Sequence, residues 1–248
     1  MEWIEEIFAE GDSFVALLAP SEGAEIVTGL LFSLGAHISG KRGCVTLIEP
    51  QPPVKAPLLP SGWQPHVNNL RRVEFLYMSD RRELVTFVTT LHALGAVPDC
   101  IMVDGLNNYV SDNENCNVAA MLALLEDLSQ WIRTKRKQEN AIPVAPVVVS
   151  FMGPPEHLDQ TASILTLYTD QVWRLLVDRD DPSWFNLKYS ENGRLRVRVN
   201  DDGTTFDWSK WKNGTTTDGN ESLESESVQE VTITVNKRGT IMEGGGEK

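Results

Sequence analysis

Cysteine is scarce in this chain, and long apolar runs are missing. Its 3 cysteines form no CxxC pair and have no histidine at metal-ligand spacing, so the sequence predicts neither a disulfide framework nor a metal site. No apolar run reaches the roughly 18–20 residues of a membrane span. The N-terminus, MEWIEEIF, is acidic and amphipathic rather than a signal peptide. We therefore expect an intracellular protein without membrane contact.

Positive charge is also in short supply. The formal net charge is −13 over 248 residues, although the hydrophobic fraction of 41% is enough for a real core. An acidic chain is not a general nucleic-acid binder, because the phosphate backbone attracts only local positive charge. Any contact with DNA therefore requires a basic patch or a partner subunit.

Apolar strands and helices alternate over residues 13–177. The strands are continuously apolar, which is typical of a parallel sheet covered by helices on both faces. The pattern changes at residues 184–199, where an Asn-Gly turn predicts a hairpin, and a second hairpin is predicted at 231–243. The predicted fold is α/β, a core of mostly parallel sheet flanked by helices, with C-terminal antiparallel hairpins.

Three regions follow from this pattern. Residues 1–200 form the α/β core with an N-terminal helix, whose apolar face packs on its own core or on a partner. Residues 201–228 are rich in Asp, Glu, Ser, Thr and Gly and are expected to be an acidic disordered insert. Residues 229–248 form the C-terminal hairpin and tail.

The stretch LLAPSEGAEIV, residues 17–27, joins the first strand to a helix. A phosphate-binding loop in that place has the pattern GxxxxGK[ST]. When the pattern begins at Ala19, Glu25 falls on the lysine and Ile26 on the magnesium-binding hydroxyl. A lysine about 4 Å from a phosphate is worth roughly 4 kcal/mol, so tight ATP binding in the usual mode is not expected. The candidate nucleotide-binding residues of this degenerate loop are Ala19, Pro20, Ser21, Glu22, Gly23, Ala24, Glu25 and Ile26.

Two carboxylates end apolar strands elsewhere in the chain. Asp104 follows CIMV, where a phosphate-binding-loop ATPase holds its magnesium ion, and Glu49 ends CVTLI. Each also has a simpler explanation, an Asp-Gly turn for Asp104 and a solvated strand end for Glu49. A later strand, VVVSFMG, has Ser150 or Phe151 where a polar phosphate sensor would stand.

The order of these elements resembles the core of the RecA-family ATPases. The likeness rests on FVALLAPSEGAEIVTGLLFSL, on the run from Arg71 to Val110, on the strand APVVVSF and on the closing hairpin EVTITVNKRGTIM. Within that family the chain is similar to the small RecA-like proteins that partner SWIM-type zinc-finger proteins in metazoan Shu complexes.

This resemblance implies a nuclear protein of homologous recombination repair. It implies a heterodimer with a SWIM-type zinc-finger protein, weak binding to single-stranded DNA, and stabilisation of the filament of a RecA-family recombinase. It also implies that Glu49 activates water and that Asp104 holds magnesium, if the protein is an ATPase. Because the loop lacks its lysine, we expect a non-catalytic or weakly catalytic subunit, a pseudo-ATPase without a cofactor.

Two alternatives remain open. One is an active, DNA-stimulated ATPase of the same complex that binds Mg-ATP with a lysine from a partner subunit. The other is an unrelated α/β ligand-binding domain whose likeness is confined to the fold.

Two basic clusters are candidates for DNA binding. One is an alternating strand whose arginines share a face at a spacing of about 6.6 Å, and the other is the basic end of a helix predicted at 116–138. Each also has a simpler explanation, a solvated strand face or favourable charge at a helix C-terminus. Their residues are Arg194, Arg196 and Arg198 for the strand and Arg133, Lys135, Arg136 and Lys137 for the helix.

Overall fold

A computed structural model describes one 10-stranded sheet with helices on both faces. The described residues are 14–40, 43–91, 93, 97–110, 115–138, 146–178, 181–189, 194–201, 203 and 205–210. The strands are β1 (Phe14–Pro20), β2 (Val45–Glu49), β3 (Leu59–Pro60), β4 (Val73–Tyr77), β5 (Cys100–Val103), β6 (Val147–Gly153), β7 (Gln171–Val177), β8 (Phe185–Lys188), β9 (Arg194–Val199) and β10 (Thr205–Lys210). The helices are α1 (Ala24–Gly40), α2 (Val67–Leu70), α3 (Arg81–Leu91), α4 (Asn115–Gln138) and α5 (Leu158–Tyr168).

The strand order is β3-β10-β9-β8-β7-β1-β6-β5-β2-β4. The six strands from β7 to β4 run parallel to their neighbours, whereas β8, β9 and β10 continue the sheet as antiparallel strands. Every residue of β1, β2 and β5 is buried, as a sheet covered on both faces requires. The predicted α/β class, with its parallel core and C-terminal antiparallel strands, is confirmed.

Two apolar cores lie on opposite faces of the sheet. The first is formed by α1 with the inward side chains of β1, β7 and β9, such as Leu17, Leu175 and Val197. The second is formed by α3, α4 and α5 with the opposite side chains, such as Leu18 and Ile101. Helix α3 begins after Asp80, whose carboxylate accepts a hydrogen bond from the amide of Glu83 at 2.9 Å, as is typical of a helix cap.

Strand β10 corrects the expectation for residues 201–228. Thr205–Lys210 pairs antiparallel with β9, and Phe206 is fully buried, so the first part of the expected disordered insert belongs to the sheet. Strand β3, in the chain that follows β2, pairs with β10. The remainder of the insert, the predicted C-terminal hairpin and the predicted N-terminal helix lie outside the described residues. None of the described helices has the length and apolar character to cross a bilayer.

Candidate nucleotide site and basic surfaces

Asp104 lies at the centre of a hydrogen-bonded group at the C-terminal edge of the parallel strands. Its Oδ1 accepts a hydrogen bond from the Ser150 hydroxyl at 2.6 Å, and its Oδ2 accepts one from the Thr28 hydroxyl at 2.5 Å. The Ser150 oxygen in turn accepts from the amide of Gly105 at 2.7 Å. Parallel strands end at one edge, which is why β5, β6 and the start of α1 meet here. Asp104 therefore joins β5, β6 and α1 through hydrogen bonds, in addition to beginning a turn.

The chain turns at Gly105, directly after Asp104 and the end of β5. The backbone of Gly105 has φ +71°, a conformation in which a side chain is strained, and an added Cβ would lie 2.4 Å from the Asn108 amide nitrogen. The Asp-Gly turn predicted from the sequence is thus present, together with the buried carboxylate. Burial raises the pKa of Asp104, and the hydrogen bonds from Ser150, Thr28 and Gly105 lower it in part.

Glu49 ends β2 beside Asp104 and is not a solvated strand end. Its side chain is 4% exposed, and Oε1 is buried without a hydrogen-bond partner among the described residues. Burial, and then the charge of Asp104, raise the pKa of Glu49 to about 7. The same charges act on Tyr109. Burial, and then the charges of Asp104 and Glu49, raise the pKa of its phenol.

Thr28 sets a different register for the degenerate loop from the one predicted. In the pattern GxxxxGK[ST] the final hydroxyl lies next to the magnesium-binding aspartate, and here Thr28 makes that contact. The lysine position is therefore Val27, which is fully buried. Counting back from Thr28 puts Ile26 and Ser21 at the two glycines. The predicted residues Ala19 to Ile26 do form this connection. Val27 is apolar, so no cationic side chain occupies the lysine position, and Glu25 lies two residues before it.

The connection between β1 and α1 is a single closed turn. Ser21–Gly23 forms a 3-10 turn, and the amide of Ala24 donates to the carbonyl of Ser21 instead of pointing at a ligand. Gly23 is buried against the next layer, so an added Cβ would lie 2.8 Å from the Leu175 side chain. These residues do not fit a magnesium–nucleotide group in the usual mode, since the lysine, both glycines and the open curve of the loop are lacking.

Glu25 points away from this network. Its carboxylate pairs with Lys55 at 2.7 Å, and both side chains are more than half exposed, at 56% and 59%. A surface pair of this kind contributes little to stability. Glu25 therefore neither replaces the lysine nor blocks the site.

Two arginines of β9 are paired with acids within the fold. Arg196 pairs with the buried Asp178 at 2.6 Å, and Arg198 lies 3.8 Å from Asp207. Both guanidinium groups also stack on Trp184, at 5.1 and 4.9 Å from the ring centroid. The predicted alternation is present, because Leu195 and Val197 are buried on the other face. The side chain of Arg194 lies outside the described residues.

The basic end of α4 divides into two kinds of residue. Arg136 donates to the carbonyl of Val97 and pairs with Asp99 at 3.1 Å, so it fastens the helix to the start of β5. Lys135 and Lys137 are exposed, and Arg133 is half-buried. Arg136 is thus used by the fold, while the two lysines face the solvent.

Two contributors to this site were missed from the sequence. Thr28 could have been found by starting the loop pattern from a hydroxyl within the apolar helix rather than from the strand. Tyr109 gives no local signal, since only the fold brings it to the carboxylates. No group of three His, Cys, Asp or Glu side chains suited to a metal ion occurs in the part of the chain that the structure describes.

Comparisons with known proteins give one sequence relative and several structures of similar fold. No family profile matches the chain. Over 123 residues the chain is 29% identical to the Mus musculus protein described as ATPase SWSAP1, and the alignment covers 47% of this chain and 41% of that protein. The chain thus spans less than half the length of this relative.

Three solved structures at 10% identity are similar in fold. A DnaB-like replicative helicase, described with its interactions with primase, has a TM-score of 0.45 over 80% of this chain and 54% of its own. The ATPase domain of G40P has a TM-score of 0.43 over 80% of both chains. Flagellar accessory protein FlaH from Methanocaldococcus jannaschii has a TM-score of 0.46 over 81% of this chain and 89% of its own. By sequence, the chain is distantly similar to ATPase SWSAP1.

Proposed function

We propose that this chain is a RecA-like subunit of a nuclear DNA-repair complex that acts without ATP turnover. Its role would be to stabilise a recombinase filament on single-stranded DNA, as the partner of a SWIM-type zinc-finger protein. The observation that carries the non-catalytic part is the buried Val27 at the lysine position, directly before the Thr28 that contacts Asp104. The distant similarity to ATPase SWSAP1 supports the proposal that this site descends from the nucleotide site of an ATPase.

The electrostatics of the site support the same proposal. A nucleoside triphosphate brings several negative charges, whereas this edge of the sheet already holds the buried carboxylates of Glu49 and Asp104. Without a lysine at position 27, no positive charge of this loop offsets the negative charge of an approaching phosphate. Both oxygens of Asp104 accept hydrogen bonds from hydroxyls within the fold, so this carboxylate has its hydrogen bonds without a ligand.

The test is a pair of measurements on the full chain. Phosphate release with Mg-ATP and single-stranded DNA should stay at background for both the wild type and Glu49→Gln. In cells that lack the protein, Glu49→Gln should restore recombination repair as well as the wild type does. Repair lost in the Glu49→Gln variant, with the protein folded and abundant, would overturn the non-catalytic role. Failure of the chain to associate with any SWIM-type protein would overturn the complex itself.

One observation favours an active ATPase as a second candidate. Glu49 keeps a buried, unpartnered Oε1 beside Asp104, and its pKa of about 7 suits a general base. A cation would then have to come from a partner subunit. Hydrolysis by the complex that Glu49→Gln abolishes would favour this candidate.

A further inference from the structure

The N-terminal edge of the parallel sheet brings together basic residues from two distant parts of the chain. The amide of Val45 donates to the carbonyl of Arg72 at 2.9 Å, and the amide of Asp99 donates to the carbonyl of Cys44 at 2.7 Å. The starts of β4, β2 and β5 therefore lie side by side. Arg136 of α4 reaches Asp99 at the same place. We call this surface the basic edge, formed by Arg71, Arg72, Arg133, Lys135, Arg136 and Lys137.

Cys44 lies between the two parts of the basic edge, because its amide donates to Asp99 Oδ2 at 2.6 Å and Asp99 pairs with Arg136. Burial, Asp99 and Glu74 raise the pKa of this thiol, while Arg136 and Arg72 lower it. Arg72 and Arg136 therefore both lie near Cys44, although they are far apart in sequence. The basic end of α4 and the start of β4 form one surface rather than two separate clusters.

The exposed charge on this surface is mainly positive. Arg71, Arg72, Lys135 and Lys137 are exposed. Of the acids around Cys44, Asp99 is paired with Arg136, which leaves Glu74 as the exposed opposing charge among those described there. The exposed cations here have the opposite sign to the net charge of the chain, which is −13. Arg196 and Arg198 of β9 differ from these residues, because Asp178 and Asp207 pair with them.

We propose that the basic edge binds the phosphate backbone of single-stranded DNA, an inference that rests on the proposed function for the identity of the polyanion. The surface lies at the opposite edge of the sheet from Glu49 and Asp104, so bound DNA would not meet the buried carboxylates. Contacts from lysine and arginine to phosphate position a strand without reading its bases, so binding is independent of sequence and sensitive to salt.

The test is fluorescence anisotropy of labelled oligo-dT with the full chain, from 50 to 200 mM salt. Four phosphate contacts to a single strand predict an affinity loss of roughly 50-fold over this range. The variant Arg71→Gln/Arg72→Gln/Lys135→Gln/Lys137→Gln should bind weakly at every salt concentration. Each half of it, Arg71→Gln/Arg72→Gln and Lys135→Gln/Lys137→Gln, should lose about half of the salt slope. These side chains are exposed, and circular dichroism would verify that each variant is folded.

Two controls separate this surface from its alternatives. Arg196→Gln/Arg198→Gln should keep the wild-type DNA affinity, and Lys135→Arg/Lys137→Arg should keep both the affinity and the salt slope. Binding that is lost in the β9 variant but kept in the four-residue variant would overturn this inference and leave the proposed function standing. A wild-type chain that binds no oligonucleotide at 50 mM salt would overturn both this inference and the DNA binding assumed in the proposed function. Equal binding of polyglutamate would assign the basic edge to an acidic protein instead.

Discussion

Glu49→Gln should stabilise the protein at high pH, and the size of the effect follows from the site. Burial of the carboxylate and the neighbouring Asp104 raise the pKa of Glu49 from 4.5 to about 7. Each pKa unit corresponds to about 1.4 kcal/mol, so the shift is worth roughly 3 kcal/mol. The folded protein binds the extra proton between pH 4.5 and 7, and its stability therefore falls as the pH rises through that window.

Glutamine has no proton to lose, so Glu49→Gln removes this part of the pH dependence. At pH 5 the variant and the wild type should have similar stability, because the wild-type side chain is protonated and neutral. At pH 8 the variant should be more stable by up to about 3 kcal/mol, which is a rise in Tm of roughly 6–12 °C for a chain of this size. Tyr109 and Asp104 face Glu49 in both proteins, and their own contributions largely cancel in the difference.

Urea unfolding at pH 5, 6, 7 and 8, followed by tryptophan fluorescence, measures the effect. Glu74→Gln, on the exposed side of β4, removes one negative charge without touching the buried pair and is the matched control. A difference between Glu49→Gln and wild type that does not change with pH would refute the argument. A variant less stable than wild type at pH 8 would show that Glu49 has a partner or an ion in solution.

Two further pairs of variants test the packing around the site. Arg196→Ala removes the 2.6 Å ion pair of the 4% exposed Asp178 and should cost about 1–3 kcal/mol, whereas Arg198→Ala breaks a 3.8 Å pair and should cost less than about 1 kcal/mol by the same urea assay. Equal costs would contradict the structural role of Arg196. Gly29→Ala places a Cβ 2.6 Å from the Leu58 carbonyl oxygen and should lower stability by about 1–2 kcal/mol despite the better helix propensity of alanine. Gly40→Ala meets only the movable end of Asn69 and should be close to neutral. A Gly29→Ala variant as stable as the wild type would mean that Leu58, in the chain between β2 and β3, does not lie against α1.

The parallel core could be predicted from sequence because its signals are local. The apolar strands at Phe14–Pro20, Val45–Glu49 and Gln171–Val177, and the Asp80 cap of α3, follow from runs of apolar residues and from capping chemistry. Strand β10 was missed because its residues, TFDWSK, follow an acidic turn and gain their strand structure from pairing with β9. Composition alone gave no sign of that partner.

The site was only partly predictable for a related reason. Asp104 and Glu49 end apolar strands, so their meeting at one edge follows from parallel topology. The register of the loop did not follow, because a pattern without its glycines and lysine can be placed in several ways. The contact between Thr28 and Asp104 fixes it, and this contact joins residues 76 positions apart. The pairing of the β9 arginines with Asp178 and Asp207 is likewise tertiary and has no local sequence signal.

The most direct test of the central claim is calorimetry with Mg-ATP on the folded chain co-expressed with its SWIM-type partner. We expect no detectable heat of nucleotide binding, because Val27 stands where a lysine would neutralise phosphate and the turn at Ser21–Gly23 is closed. Micromolar binding of Mg-ATP that Asp104→Ala abolishes, in a complex that remains folded, would contradict the account. It would show that the site binds nucleotide and would favour an active ATPase.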